Sequence, residues 1–86
     1  PASMAALLDD FLAAADRGRC IEAVAYRMIR ERGPADAGQI VEAALEAHFQ
    51  RAAQQRDLGC KGNIAAQAIA AGADPDQVLE ATAAGL

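Results

Sequence analysis

Cysteine and histidine are the residue types that most readily ligate zinc or act as a nucleophile or base, and this sequence has three of them: Cys20, His48 and Cys60. They are spread along the chain, whereas structural zinc sites use closely spaced pairs of ligands. The sequence therefore predicts no metal and no cofactor. Cys20 continues an apolar stripe, and a buried free cysteine behaves as a small hydrophobic residue. We expect free thiols in preference to a Cys20–Cys60 disulfide, and both cysteines stay candidates for redox chemistry.

His48 is the single histidine, and it lies between Leu45 and Phe49 on the apolar side of a predicted helix. A histidine in this position can serve as a pH-sensitive group or as a general base. A residue at the edge of the core, donating one ring proton to a carbonyl, is the more common arrangement. Because no nucleophile accompanies it, the sequence predicts a protein without catalytic activity.

Residues 17–32 carry the one cationic patch that the sequence predicts, with five arginines against two glutamates. We expect the contact with a partner to involve Arg19, Tyr26, Arg27 and Arg30, which suit an acidic helix or a nucleic-acid backbone. The alternative is a solvated face. In that case the pairs Arg19/Glu22 and Arg27/Glu31, which have helical spacing, offset part of the charge.

The elements that must position these residues are short amphipathic helices, because apolar residues recur at helical spacing and no alternating pattern of strands is present. Glycines and a Gly-Pro pair separate the segments. We predict an all-α bundle of about five helices arranged as sequential hairpins, with corners near residues 17, 33, 60 and 73. The helices are expected at about residues 4–16, 20–32, 36–53, 63–71 and 74–84.

Two of the predicted helices begin with the same sequence pattern, an aspartate followed three residues later by glutamine. Asp36 with Gln39 and Asp74 with Gln77 both have the spacing of a capping box. The pair of apolar residues that follows each pattern predicts which face of the helix is turned toward the core. On this basis the fifth helix faces the core with Val78, Leu79 and Thr82, and the third helix with Ile40, Val41, Ala44, Leu45, His48, Phe49 and Ala52.

Composition limits the range of functions. The formal charge is −4, which argues against a general nucleic-acid or membrane surface. No signal peptide or membrane span is expected, so two cysteines indicate a cytoplasmic protein. Residues 1–3 are expected to be the remnant of an expression tag, and residues 4–86 one helical domain. Alanine makes up 24 of the 86 residues, which predicts a thin core and favours self-association.

The segment 63–84 resembles the helix-turn-helix of enhancer-binding bacterial activators, with small Ala68, Gly72 in the turn and apolar Val78. The resemblance implies a DNA-binding regulator whose second helix reads the major groove. In this chain that helix offers Gln77 beside carboxylates and has no basic residue. Nucleic acid is therefore a possible but disfavoured partner.

The stretch from Leu58 to Ala84 resembles the core hairpin of the carboxymuconolactone decarboxylase and alkylhydroperoxidase-like family. The resemblance implies a thiol-dependent protein centred on Cys60. Asp57 replaces the first cysteine of the family motif, and Ile64 replaces its histidine. A third stretch, about 6–50, resembles the helical cap that precedes cobalamin-binding domains, although the domain that binds cobalamin is not part of this chain.

These observations together favour a small helical interaction or regulatory module without catalytic activity. We expect it to act as a homodimer or as a subunit docked on a larger protein. The DNA-binding regulator with its hairpin at 63–84 is the first alternative. The divergent thiol-dependent protein is the second.

Overall fold

The fold is an all-α bundle, as predicted. In the computed structural model, which describes residues 3–84, six α-helices and one 3-10 turn account for the regular structure, and no strand occurs within this range. The helices are α1 (Met4–Asp16), α2 (Ile21–Arg32), α3 (Ala37–Gln50), α4 (Ala52–Asp57), α5 (Ile64–Ala70) and α6 (Pro75–Ala84), with the 3-10 turn at Pro34–Asp36. Pro1 and Ala2, two of the three residues assigned to a tag remnant, lie outside the described residues.

The corners lie where the glycines predict them. Gly33 ends α2 with a φ of 87° while its N–H donates to the carbonyl of Ile29. Gly72 turns the chain between α5 and α6 with a φ of 113°. Side chains with a β-carbon rarely adopt this left-handed region, so glycine at both positions allows two helices to fold back on each other.

The helix starts agree with the sequence only in part. At α6, Asp74 Oδ1 accepts a hydrogen bond from the Asp76 N–H at 3.3 Å, so the aspartate half of the predicted capping box is present, whereas the described residues show no return hydrogen bond to Gln77. The predicted cap at Asp36 is wrong, because that residue closes the 3-10 turn and makes no capping hydrogen bond with its side chain. Ser3, assigned to the tag remnant, caps α1 by accepting from the Ala6 N–H.

Helix α3 is the centre of the bundle and packs against α1, α2, α5 and α6. Small side chains allow neighbouring helices to approach it closely, and four of its alanines are fully buried. The large side chains of the core come mainly from other helices, among them Leu7, Phe11, Ile21, Ile29 and Ile64. The core is therefore thin around α3, as the alanine content predicts.

Two predicted inward faces need correction. On α3 the buried residues include Ala43 and Ala47, while Leu45 and His48 are half-buried and Phe49 is 81% exposed. On α6, Val78 and Ala81 are buried, whereas Leu79 is 68% exposed and Thr82 is half-buried. Ile40, Val41 and Ala44, also predicted to face inward, are fully buried, so the buried stripe of α3 runs along these residues and the alanines and leaves Phe49 outside.

The predicted third helix is divided at Arg51, whose φ of −121° interrupts α3 and starts α4. The Arg51 guanidinium meets the Asp16 carboxylate at the end of α1, with Nε 3.0 Å from Oδ1. The side-chain amide of Gln54 donates to the same oxygen. This contact joins the end of α1 to the break between α3 and α4.

The hydrogen bond from Arg51 lowers the pKa of Asp16 below its ordinary value of 3.8, and the charge of Arg51 acts in the same direction. A carboxyl group with a lowered pKa stabilises the fold above its unfolded-state pKa. That contribution is lost as the pH falls through the lower, folded-state pKa. We expect Arg51→Met to raise the pKa of Asp16 toward 3.8 and to remove this part of the acid dependence of stability. A carbon NMR titration of the Asp16 carboxyl checks this, with Arg56→Met, an exposed arginine of α4, as the unaffected control.

No helix among the described residues combines the length and the apolar character required to cross a lipid bilayer.

Candidate functional site

The two cysteines lie together and form a disulfide, with a Cα–Cα distance of 5.4 Å. Cys20 is the N-cap residue of α2, and Cys60 lies in the connection between α4 and α5. The expectation of free thiols is therefore wrong, and there is no free cysteine. The sequence placed Cys20 inside an apolar stripe, but the helix begins one residue later. At this position the Cys20 side chain is half-buried and turns toward the α4–α5 connection.

Gln55 of α4 holds the backbone on both sides of Cys20. Its Oε1 accepts from the Ile21 N–H and its Nε2 donates to the Arg19 carbonyl, each at 2.9 Å. Gln55 is 0% exposed, and these hydrogen bonds give its amide and both backbone groups a partner in the interior. These two hydrogen bonds fix the start of α2 against α4.

Glu22 of α2 holds the backbone that follows Cys60. Its Oε2 accepts from the Lys61 N–H at 2.7 Å and from the Gly62 N–H at 3.1 Å. The Glu22 residue is 7% exposed, and its second oxygen, Oε1, is buried without a hydrogen-bond partner among the residues that the structure describes. A buried carboxylate oxygen without a donor is unusual in a folded protein. This unpartnered oxygen makes the cluster of Cys20, Cys60 and Glu22 the strongest candidate for a reactive site among the described residues.

Sequence reasoning missed Gln55 and Glu22, although each has a detectable signal. Glu22 is three residues before Ala25 and seven before Ile29, which places it on the buried stripe of α2 and not on the solvated face. Gln55 is eight residues after Ala47, on the side of the chain that continues the buried stripe of α3. Because both residues are polar, the sequence predicts no buried role for either.

His48 lies against the same connection. A β-carbon at Gly62 would come within 3.1 Å of the His48 imidazole, and Gly62 has a φ of 70°. Gly62 is therefore in contact with Glu22 through its N–H and with His48 through its α-carbon. The His48 Nδ1 atom is buried without a partner within the described range. The imidazole acts here as a packing surface for the loop, at the edge of the core.

The ionisable group beside the two cysteines is the carboxylate of Glu22 and not the imidazole of His48. One oxygen of Glu22 and the two sulfur atoms all lie within 4.8 Å of one another. Two thiolates and a carboxylate are ligands suited to zinc, but a closed disulfide cannot ligate it as thiolate. The oxidised cluster therefore has the composition of a thiol–disulfide centre with an adjacent acid–base group.

The disulfide is accessible from outside. An open cavity of about 380 Å³ is lined by both cysteines together with Glu22 and Gln67. A second open cavity of about 380 Å³ exposes Cys20 between Arg19 and Arg27. Thus both half-buried cysteines border space that is open to solvent, and two cations line the cavity beside Cys20.

The arginines of the predicted cationic patch lie on the surface, but the residues predicted to bind a partner do not all share one exposed surface. Arg19 and Arg27 share the cavity beside Cys20, and Arg30 is exposed one turn beyond Arg27. Tyr26 is half-buried and packs on the core, so it is not part of the exposed surface. The predicted pair Arg19/Glu22 is wrong, because Glu22 turns inward to the Cys60 connection. The pair Arg27/Glu31 is present at 4.0 Å, with both side chains more than half exposed.

An apolar groove lies between α3 and α6 on another part of the surface. The α3–α6 groove has a volume of about 570 Å³ and is lined by Glu42, Leu45, Glu46, Phe49, Ala52 and Thr82. His48 also reaches it from α3. Leu79 lies one turn before Thr82, on the same side of α6. The groove therefore combines apolar side chains with a carboxylate rim from α3.

The hairpin at 63–84 consists of α5 and α6, joined at Gly72. The second helix exposes Asp76, Gln77 and Glu80, so its outer face is acidic. At the positions of the alkylhydroperoxidase-like motif, Asp57 is exposed at the end of α4 and Ile64 is buried at the start of α5. Cys60 instead finds its partner in Cys20, forty residues away.

Comparisons of the chain with known protein families, with curated proteins and with solved structures each find no match.

Proposed function

We propose that this protein is a helical interaction module that binds an amphipathic helix of another protein in the α3–α6 groove. The observation that carries the proposal is the exposure of Phe49, which is 81% accessible near the end of α3 and lines the α3–α6 groove. A phenylalanine in this position leaves a large apolar area in water. Binding a partner would remove that area from water and stabilise the complex.

The shape of the groove fits a helix better than a small molecule. It is open to solvent and is lined by α3, by Ala52 at the start of α4 and by Thr82 of α6, and Leu79 is exposed on α6 one turn before Thr82. An amphipathic helix places apolar residues at intervals of three and four, which is the arrangement that grooves between helices bind. Phe49 would be the central anchor of the contact.

Charge determines the class of partner. Glu42 and Glu46 form the rim of the groove, and Glu42 also borders Glu80 and Asp36 in an adjoining open cavity. A helix with lysine or arginine beside its apolar face would pair with these carboxylates, whereas an acidic helix would be repelled. The proposed partner is therefore a basic amphipathic helix.

A second copy of this chain suits the groove less well. In a twofold dimer the same surface meets itself, so Glu42 and Glu46 of one copy would approach those of the other. Arg19 and Arg27 line a different cavity, so a contact between them and the glutamate rim of another copy would join two unlike surfaces instead of a twofold pair. The predicted homodimer consequently stays an alternative, which the experiment below separates from the proposed partner.

We expect a synthetic leucine–lysine amphipathic peptide to bind the protein, and Phe49→Ala to weaken this binding by at least about tenfold, or 1.4 kcal/mol. The physical reason is the loss of the buried aromatic anchor. Fluorescence anisotropy of the labelled peptide measures the affinity at low and at high salt, because a contact with the glutamate rim weakens as salt screens it. Since Phe49 is exposed, the variant keeps its melting temperature.

Ile69→Ala is the matched control, because Ile69 is an exposed apolar residue of α5 outside the groove. It should leave the affinity unchanged. Equal binding of a leucine–glutamate peptide would contradict the proposed charge selection. Light scattering completes the experiment: a dimer that Phe49→Ala converts to monomer would identify a second copy, and not a basic helix, as the occupant.

Cytoplasmic localisation, the DNA-binding hairpin and the alkylhydroperoxidase-like alternative stay predictions. The acidic outer face of α6 does not favour DNA, and the separation of the two cysteines along the chain differs from the motif of the thiol-dependent family. A disulfide in the cytoplasm is normally transient, so cytoplasmic localisation requires that Cys20–Cys60 be reducible.

A further inference from the structure

We infer that Cys20, Cys60 and Glu22 form a thiol–disulfide exchange site that accepts electrons from a dithiol, with Glu22 as the group that stabilises the reduced state. The site is separate from the α3–α6 groove, so the inference does not depend on the proposed interaction. Three observations support it: the polar contacts that hold both cysteines, the unpartnered oxygen of Glu22, and the open cavities at the sulfur atoms.

The cysteines stay close to each other without the bond between them. Gln55 binds the residues before and after Cys20, and Glu22 binds the two residues that follow Cys60. These hydrogen bonds use backbone groups and do not depend on the sulfur atoms. Reduction therefore leaves two thiols facing each other, ready to be oxidised again.

The reduced state satisfies an atom that the oxidised state leaves unpaired. Glu22 Oε1 has no donor in the disulfide form, and a carboxylate oxygen of Glu22 lies within 4.8 Å of both sulfur atoms. A disulfide has no proton to offer, whereas a thiol does. After reduction an S–H group can donate to Oε1, so the carboxylate favours the dithiol over the disulfide.

The direction of attack follows from the positions of the two sulfur atoms. Cys20 caps the N-terminus of α2, which has a partial positive charge, and Arg19 and Arg27 line the cavity beside it. Cys20 is therefore the better leaving group, because its thiolate is stabilised there. An incoming thiolate attacks Cys60 Sγ through the cavity that exposes both cysteines.

The exchange is balanced in two steps. In the first, the S–S bond breaks, Cys20 leaves as a thiolate and a mixed disulfide forms at Cys60. In the second, the other sulfur of the dithiol attacks the mixed disulfide and releases Cys60 as a thiolate. The dithiol becomes a disulfide, and its two protons end on Cys20 and Cys60. The thiol proton nearest Glu22 is then available for a hydrogen bond to the carboxylate, one oxygen of which lies within 4.8 Å of both sulfur atoms.

The test equilibrates the oxidised full chain with mixtures of reduced and oxidised dithiothreitol. The products are trapped by alkylation and counted by mass spectrometry. We expect Glu22→Gln to lower the equilibrium constant for reduction by about tenfold, which equals about 30 mV for this two-electron couple. Glutamine keeps an acceptor for the Lys61 and Gly62 N–H groups but presents an amide N–H₂ group to the sulfur atoms. Glu31→Gln, an exposed position of the same helix, should leave the constant unchanged.

A Raman spectrum of the reduced wild-type protein gives a second readout that needs no variant. We expect one S–H stretching band at the lowered frequency of a thiol hydrogen-bonded to a carboxylate. An equilibrium constant that is the same in wild type and a folded Glu22→Gln variant would overturn the inference. Two S–H bands at the frequency of free thiols would do so as well.

Discussion

Replacing Cys20 and Cys60 with serine is expected to lower the free energy of unfolding by about 4 kcal/mol, because the disulfide closes a loop of forty residues in the unfolded chain. An 86-residue domain has a stability of about 4–13 kcal/mol, so this loss is a large share of the total. Urea unfolding of the double variant and of the oxidised wild type, followed by far-ultraviolet circular dichroism, measures the difference.

The two single variants provide the control. Cys20→Ser and Cys60→Ser each remove the same bond, so each should lose as much stability as the double variant and the effects should not add. Equal midpoints for wild type and double variant would show that the disulfide does not stabilise this fold. Additive losses would indicate that the cysteines contribute through separate contacts.

Gln55→Leu is expected to lower the free energy of unfolding by about 2–4 kcal/mol, because the Ile21 N–H and the Arg19 carbonyl both lose a buried partner. Leucine is similar in size and leaves little cavity, so the unpaired backbone groups account for most of the loss. Thermal and urea unfolding of the oxidised variant measure the effect.

Gln50→Leu is the matched control, because Gln50 is exposed on α3 and binds only Glu46 through its side chain. Its stability should change by no more than about 0.5 kcal/mol. Gln55→Glu adds a second comparison, since a carboxylate still accepts from Ile21 but no longer donates to Arg19. A Gln55→Leu variant as stable as Gln50→Leu would refute the role assigned to this amide.

The helices and their corners could be predicted because they depend on local sequence. Apolar spacing marks α1 and α2, and the Gly33–Pro34 pair marks a corner whatever surrounds it. The Asp36 cap failed for the opposite reason. The 3-10 turn that replaces it is set by how the chain passes from α2 to α3, and spacing alone does not contain that information.

The candidate site could be predicted only in part, because it depends on contacts between distant segments. Cys20 and Cys60 were recognisable as reactive residue types, but pairing them requires the position of α4 relative to α2. Glu22 was expected on a solvated face because it is charged, and Gln55 was given no structural role, although both are buried. The α3–α6 groove was missed because Phe49 was expected to face the core, whereas Ile40, Val41 and the alanines form the buried side of α3.

In the disulfide form the chain is topologically a ring with two tails, since the link between Cys20 and Cys60 encloses α2, α3 and α4. Tension applied at the two termini would pass through the sulfur–sulfur bond and bypass the enclosed helices. The fully stretched oxidised molecule is therefore shorter than the reduced one by roughly 140 Å, the contour length of forty residues. The oxidation state of the two cysteines therefore determines the fully extended length of the chain.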